Sequence, residues 1–536
     1  MATTPPRPPR GMRDLLPDAM RRRQFVLDAL TEVFQTFGFE PLMTPAVELA
    51  GTLFGKYGPD AERLIYRARL HEDEDLALRY DMSVPLARVV AGYPELPRPF
   101  RRYQIAPAWR GERPQRGRYR EFLQADVDIV GSASMLADAE IITLVVALLN
   151  RLGFTNNRTK INNRKLLNAI GRYAGLPEVM LPGLFRSIDK LDKIGLDGVR
   201  LELLSVGLPG ELMNRQRQGV GRWLRGQADR AKLEGTLRAA LGEADPPAVA
   251  TQALPAYLEA LEAFKSSAAV DDAALEAATL QVMSASIAAL RACYPEAGLV
   301  SEATVSRLLD LLQLQGEGQD ALNALESELG DDLAREGIGE LRQVLAALDA
   351  AGVPEAKYGI DFAMVRGLDY YTGTIFETVV TDPPIGSLTG GGRYDRLIGL
   401  FGRDTPAVGT SFGVDRLEDV LEEANLFPAS VSTPPAQVLV AQFDAGAQPA
   451  SPAEAVRFTA ELRSAGVATE LYFEPDPLGE QIRYALRRRI PTLAILGPDE
   501  IAAGTVTLKN LDTQTQVTVP RKGVVAALAR SGTTTK

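Results

Sequence analysis

Strand-like and helical text are distributed very unevenly along this chain, and that distribution constrains the fold most. Residues 60–130 carry four short strand-like runs, RLIYRARL, LALRYD, FRRYQIAPAWR and FLQADVDIVG, separated by Gly/Pro turns. Such runs predict an antiparallel sheet. Strand-like text returns at 357–380 and in GTSFGVDRLEDVLEEA, where a strand runs into a helix. Between them, from about 222 to 350, the chain is rich in Ala, Leu and Glu with helical periodicity (TVSRLLDLLQL, LRQVLAALDAAG). A mainly helical insertion is expected there, acting as a spacer for most of its length.

The ends of the chain follow the same logic. Val26, Leu30, Val33, Phe34 and Phe37 recur at helical spacing, so a helix is expected over about 18–37, stopped by Gly38. Phe39 to Pro45 reads as a strand, and a helix over 137–152 closes the first block. The polar, proline-bearing stretch 426–437 reads as a linker. After it, QVLVAQF, a helix at about 452–465, VATELYF, a helix at about 478–489 and TLAILG alternate. Alternation of that kind predicts a small α/β domain with a mostly parallel sheet.

Composition removes several chemistries. The sole cysteine, Cys293, cannot close an intramolecular disulfide, and in its alanine-rich setting it reads as packing. The sole histidine, His71, lies in HEDED and reads as an exposed hairpin turn. Zincin motifs, Cys/His zinc clusters and most Ser-His-Asp arrangements need more than this. With 59 Lys+Arg against 69 Asp+Glu, the chain carries −10 at neutral pH, so any RNA-binding surface must be local. No run of about 18 apolar residues suggests a membrane span. The proline-rich start resembles neither a signal peptide nor a transit helix, so a cytoplasmic protein is expected.

Three segments carry chemistry. Residues 100–120 hold seven arginines and one acid, Glu112. A solvated charged loop is the bland interpretation, but arginines interleaved with apolar strand residues suit phosphate, whose oxygens match the planar guanidinium fork. Gln124 and Asp128 share one face if that stretch is a strand. MVRGLDYYTGTIFE (364–377) places an arginine, an acid and two tyrosines in apolar surroundings. GTSFGVDRL (409–417) places Arg416 at a strand-to-helix junction. The GGGR at 390–393 matches neither a P-loop nor a dinucleotide fingerprint.

Together these segments resemble the signature motifs of class II aminoacyl-tRNA synthetases. PRGMRDLLP, LALRYDMSVPLAR, WRGERPQRGRYREFLQADVDIVG, VRGLDYYTGTIFE and GTSFGVDRL resemble the histidyl-tRNA synthetase family, over roughly 5–175 and 355–530. LRYD and DKLDK (189–193) resemble its eukaryote/archaeal-like branch. The resemblance implies an α+β catalytic domain, an antiparallel sheet flanked by helices, in two parts (1–175 and 355–427). It also implies a helical insertion (176–354), a linker (428–436) and an anticodon-binding domain (437–536). The activity implied is activation of L-histidine with ATP to histidyl-adenylate and pyrophosphate, then transfer to the 3′ end of tRNA(His).

Site residues carry over by motif. Arg110 is implied at the α-phosphate, and Arg366 bridges the substrate carboxylate and that phosphate as the catalytic cation. Arg118 and Arg416 are implied at the outer phosphates or the adenine face, and Glu112 and Phe122 at adenine. Asp81, Met82, Ser83 and Gln124 are implied around the histidine amine, with Asp128, Tyr370 and Tyr371 reading the imidazole. Ser83 and Asp128 stand where many members carry Thr and Glu. Mg²⁺ on the β/γ-phosphates is implied, with no protein metal cluster. The family works as a dimer with the first motif, around Pro45, at the interface. In the last domain, Arg483 and Arg487 share a helix face with Arg488 and Arg489 beside them, suiting RNA. The competing interpretation is a catalytically silent regulatory subunit of ATP phosphoribosyltransferase. Such subunits lack the C-terminal domain and tend to lose parts of the ATP motifs.

Overall fold

The computed structural model describes residues 6–57, 59–69, 74–115, 117–176, 178, 181–206, 284, 287, 300–313, 318–365, 370–381, 386–443 and 451–530. The chain forms two compact units, Met1–Asp14 with Val26–Leu426, and Leu15–Phe25 with Phe427–Lys536. His71, Cys293, Arg366 and most of the expected helical insertion lie outside the described residues.

In chain order the strands of the first unit are β1 (Glu40–Pro41), β2 (Val47–Leu49), β3 (Arg67–Ala68), β4 (Leu76–Leu78), β5 (Phe100–Trp109), β6 (Glu121–Val130), β7 (Asn157–Asn163), β8 (Tyr358–Ile360), β9 (Thr374–Val380), β10 (Thr389–Arg393) and β11 (Ala407–Gly413). Eight of them make one sheet, ordered β1-β5-β6-β11-β10-β9-β7-β8. Its six central strands are antiparallel, and a short parallel strand lines each edge. The two blocks of strand-like text therefore interleave: β6 from the first pairs with β11 from the second.

Helix Met135–Arg151 packs across this sheet against β6, β7, β9, β10 and β11. Ser134 caps its start by accepting from Leu136 N, as short hydroxyl side chains do. Helix Asp332–Ala350, at the end of the segment expected to be an insertion, packs on Met135–Arg151 and on Arg164–Tyr173. Strand β6 explains the layering. Ala125, Val127 and Ile129 alternate with Gln124, Asp126 and Asp128, and all six are buried. Alternation sends the two sets to opposite faces, so one face is apolar and the other carries buried polar groups.

Two expectations are corrected. Residues 60–130 do not form a single sheet: β2, β4 and β3 make a separate three-stranded sheet, and helix Ser83–Gly92 intervenes before β5. Pro85 falls in that helix's first turn, where a missing N–H costs nothing. The strand expected over Phe39–Pro45 shortens to Glu40–Pro41, because Pro41 and Pro45 have no N–H to donate to a ladder. The helix expected over 18–37 spans Pro17–Thr36.

The second unit has β12 (Val438–Val440), β13 (Thr469–Leu471), β14 (Thr492–Ile495), β15 (Thr505–Asn510) and β16 (Gln516–Pro520), ordered β13-β12-β14-β15-β16. The first three are parallel, as expected. The antiparallel pair β15 and β16 was not foreseen and makes the sheet mixed. Val438 and Val440 pack with Phe458 and Leu462 on one face, Leu439 and Ala441 with Ala485 and Leu493 on the other.

Candidate active site

A cavity of about 400 Å³ gathers residues from β6, β10 and β11, from 81–83, from the 110–122 segment and from Tyr370 and Tyr371. Its two ends have opposite chemistry.

One end is acidic. Asp81 is buried, and its Oδ1 accepts from Tyr57 Oη (2.8 Å), Ser83 N (3.1 Å) and Val84 N (3.2 Å). Its Oδ2 has no hydrogen-bond partner among the described residues. Gln124 donates to Asp126 Oδ1 (2.8 Å) and Ser411 Oγ (3.1 Å). Behind them, the β5–β6 register sets Arg102 opposite Asp128. Arg102 is fully buried, and its Nη2 stands 2.7 Å from Asp128 Oδ2. The contact is an ion pair, and among the described residues Asp128 Oδ2 and Arg102 Nε and Nη1 have no hydrogen-bond partner. Tyr394 Oη donates to Asp128 Oδ1.

Arg102 thus acts on Asp126 and Asp128, while Arg110 acts on Asp81 and Asp126. Burial pushes the Asp81 carboxyl up to about 6, and the Asp126 charge adds to it. Burial likewise raises Asp128 to about 6 against the opposing pull of Arg102. Burial raises Asp126 as well. Burial outweighs the pull of Arg102 and Arg110 on these carboxylates, and an ammonium group would favour their ionised forms.

The other end is basic. Arg110 donates to Tyr80 O (3.2 Å) and Gln124 Oε1 (3.4 Å), with the Tyr80 and Phe122 rings 4.5 and 5.1 Å from its Cζ. Arg118 lies 3.9 Å from Glu112. Arg416 donates to Ser387 O at 2.7 Å. Residues before the first helix brace this end. Gly11 O accepts from Arg120 N (2.8 Å), and Arg13 lies 3.8 Å over the Tyr119 ring. Arg13 also pairs with Asp415, whose Oδ2 accepts from Leu123 N at 2.7 Å.

Asp81, Ser83, Arg110, Glu112, Arg118, Phe122, Gln124, Tyr370, Tyr371 and Arg416 all line this one cavity. Asp128 and Met82 do not: Asp128 lies beneath the lining, and Met82 is buried with its carbonyl accepting from Arg102 at 3.3 Å. Sequence reasoning missed Asp126, which the polar alternation of QADVD would have revealed. It also passed over the GGGR strand, whose Gly390 and Gly391 line the cavity. A side chain at Gly391 would meet Gly409 O at 2.1 Å, the close backbone approach that a strand glycine signals. Tyr57, Arg102 and Tyr394 gave no local signal. In the second unit Arg483, Arg487, Arg488 and Arg489 are exposed, but Arg483 pairs with Glu480 and Arg488 with Glu470.

An antiparallel sheet backed by helices, with an arginine-lined cavity across its central strands, defines the catalytic domain of a class II aminoacyl-tRNA synthetase. The histidyl-tRNA synthetase family model matches residues 11–205 and 259–417, and an anticodon binding domain model matches 437–531. The chain belongs to the histidyl-tRNA synthetase family. The histidine–tRNA ligase of Gloeobacter violaceus is 37% identical over 543 residues, covering 95% of each chain. That of Aeropyrum pernix is 36% identical over 534 residues, covering 99% of each. The solved histidyl-tRNA synthetase from Nostoc sp. PCC 7120 matches with a TM-score of 0.67 at 26% identity, over 98% of this chain and 99% of that one.

Proposed function

We propose that this cavity is where histidine and ATP react, within an enzyme that ligates histidine to tRNA. The opposite polarity of its two ends carries the reading. A zwitterionic amino acid and a polyphosphate must be brought together, and the cavity offers the Asp81 carboxylate, beside Gln124, at one end and Arg110, Arg118 and Arg416 at the other. Family membership supplies the reaction class, an ATP-dependent aminoacyl-tRNA ligase.

The histidine carboxylate oxygen attacks the α-phosphorus, forming the mixed anhydride as the bond to pyrophosphate breaks. Two anions approach, so fixed cations lower the barrier. Arg110 is assigned to the α-phosphate. Arg366 keeps the bridging role that the family resemblance gives it. Arg118 and Arg416 suit the outer phosphates or the adenine face, and Glu112 and Phe122 suit adenine. Asp81 and Gln124, with Ser83 beside them, suit the ammonium. Tyr370 and Tyr371 suit the imidazole, with Met82 and Asp128 supporting from behind. In the second step a 3′ hydroxyl of tRNA(His) attacks the acyl carbon and AMP leaves.

Magnesium is expected to arrive on the phosphates of ATP, since no cluster of three or more ligating side chains exists among the described residues. Homodimerisation through the segment around Pro45 is supported by exposed Met43, Val47 and Leu49. A cytoplasmic location fits with no described helix being long and apolar enough to span a membrane. The exposed arginines of helix Leu478–Arg487 suit contact with the anticodon arm. Placement in the eukaryote/archaeal-like branch rests on LRYD and DKLDK alone. A silent regulatory subunit is disfavoured by the C-terminal domain and by Arg110, Glu112 and Arg416 lining one cavity.

ATP–pyrophosphate exchange scanned over the twenty amino acids tests the proposal. Exchange with histidine alone is expected. No exchange from folded protein that still binds histidine would return the regulatory-subunit reading.

A further inference from the structure

Asp81 is the acid that the acidic end of the cavity presents, and its environment is asymmetric. Three donors converge on Oδ1, while Oδ2 has no partner among the described residues. Two of the donors are backbone amides of the first turn of helix Ser83–Gly92. The third, Tyr57 Oη, comes from a separate segment and is the only side chain of the three. Tyr57 is 3% exposed, does not line the cavity, and is wedged against Tyr80 with ring centroids 5.0 Å apart.

We infer that Tyr57 is a positioning residue for recognition of the substrate's ammonium group: it fixes the carboxylate plane of Asp81 so that Oδ2 is left to receive the cation. The inference rests on the assignment of Asp81 to the histidine amine. The physical need is clear from the torsion involved. Rotation about the Cβ–Cγ bond of an aspartate is broad and two-fold, and two amides from one helix end constrain it from one direction only. A donor from a different segment closes that freedom. An ordinary core tyrosine would need only a satisfied hydroxyl, which any carbonyl could provide. Here the partner is instead the carboxylate that lines the cavity.

The same contact sets the charge state. Asp81 is faced by Tyr57, Tyr80, Tyr370, Arg110, Asp126 and Asp128. Burial and Asp126 oppose its ionisation, whereas the Tyr57 hydrogen bond, the Val84 amide and Arg110 favour it. Burial drives the Tyr57 hydroxyl well above its ordinary range, so it remains a donor at any working pH. Removing the hydroxyl therefore raises the Asp81 pKa further.

Tyr57→Phe keeps the ring and deletes only the donor. Histidine-dependent ATP–pyrophosphate exchange should show the KM for histidine rising about tenfold, the loss of one hydrogen bond to a charged group, with the KM for ATP within about twofold. The acid limb of kcat/KM for histidine should move to higher pH, a shift that a merely structural tyrosine would not cause. In an Asp81→Asn background, Tyr57→Phe should add nothing. An unchanged KM for histidine, equal losses for histidine and ATP, or additive losses with Asp81→Asn would each overturn the inference. No exchange in the parent protein would overturn the reading of the cavity and this inference with it. Exchange in the parent with Tyr57→Phe unaltered would overturn this inference alone.

Discussion

Asp128→Asn tests whether the buried pair beneath the cavity holds the sheet or reads the substrate. Arg102 is fully buried, and its charge faces Asp128 at 2.7 Å across the β5–β6 ladder. Its Nη2 donates to Met82 O at 3.3 Å, and Nε and Nη1 have no hydrogen-bond partner among the described residues. Neutralising Asp128 leaves a buried guanidinium short of its nearest counter-charge, which costs about 3–5 kcal/mol. Asp126 on the same strand face also acts on Arg102, so the lower end of that range is expected. Tyr394 keeps an acceptor in the asparagine carbonyl. The assay is urea unfolding of the ligand-free protein followed by circular dichroism at pH 8, where Asp128, raised to about 6, is ionised. Arg102→Met added to Asp128→Asn should recover part of the loss, since it removes the unpaired charge. A loss below about 1 kcal/mol at pH 8, together with a large rise in the KM for histidine, would refute the reasoning. It would show Asp128 contacting the imidazole directly.

Two further outcomes follow from the same face of the sheet. Gly391→Ala should cost about 3 kcal/mol or more in a thermal or urea melt, because its Cβ would meet Gly409 O at 2.1 Å and Thr410 Cα at 2.8 Å, both backbone; native stability would show that β10 and β11 can part. Ligand-free stability should fall as pH rises from about 4 to about 7, by up to about 3 kcal/mol for the raised Asp81 carboxylate. Asp81, which has no ion-pair partner among the described residues, sits at about 6 when folded, above the unfolded value of 3.8, so its contribution is greatest when protonated and is lost as pH rises through 6. Between pH 5 and pH 7 ordinary carboxylates are mostly ionised already, and the chain has one histidine. Melts at pH 5 and pH 7 check it, and a flat profile would contradict the buried-carboxylate account.

The sequence disclosed the site better than the sheet that carries it. Arginine density and the Gln124–Asp128 spacing are local signals, and of the residues they marked Arg110, Arg118 and Gln124 line one cavity while Asp128 does not. β1 was overread because its prolines lack donors, a limit the apolar run FEPLMTP conceals. β15 and β16 were passed over, although TVTLKN and QVTVP are β-branched and alternating. Tyr57, Arg102 and Tyr394 could not be found locally, since each acquires its meaning from a carboxylate on another element. The glycines of β10 were judged by nucleotide-loop patterns, whereas their reason is the approach of β11.

The pairing of β6 with β11 also bears on how the chain is made. Gln124 finds its partner in Gly413, so the ribosome must deliver most of the polypeptide before the central sheet can close. Until then β6 is an open edge that displays Gln124 and the carboxylates of Asp126 and Asp128 on one face and Ala125, Val127 and Ile129 on the other. Non-local pairing of this kind is slow and leaves apolar surface exposed meanwhile. The nascent first half is therefore the stage at which chaperone protection matters most, and truncations ending before residue 407 should accumulate as aggregates.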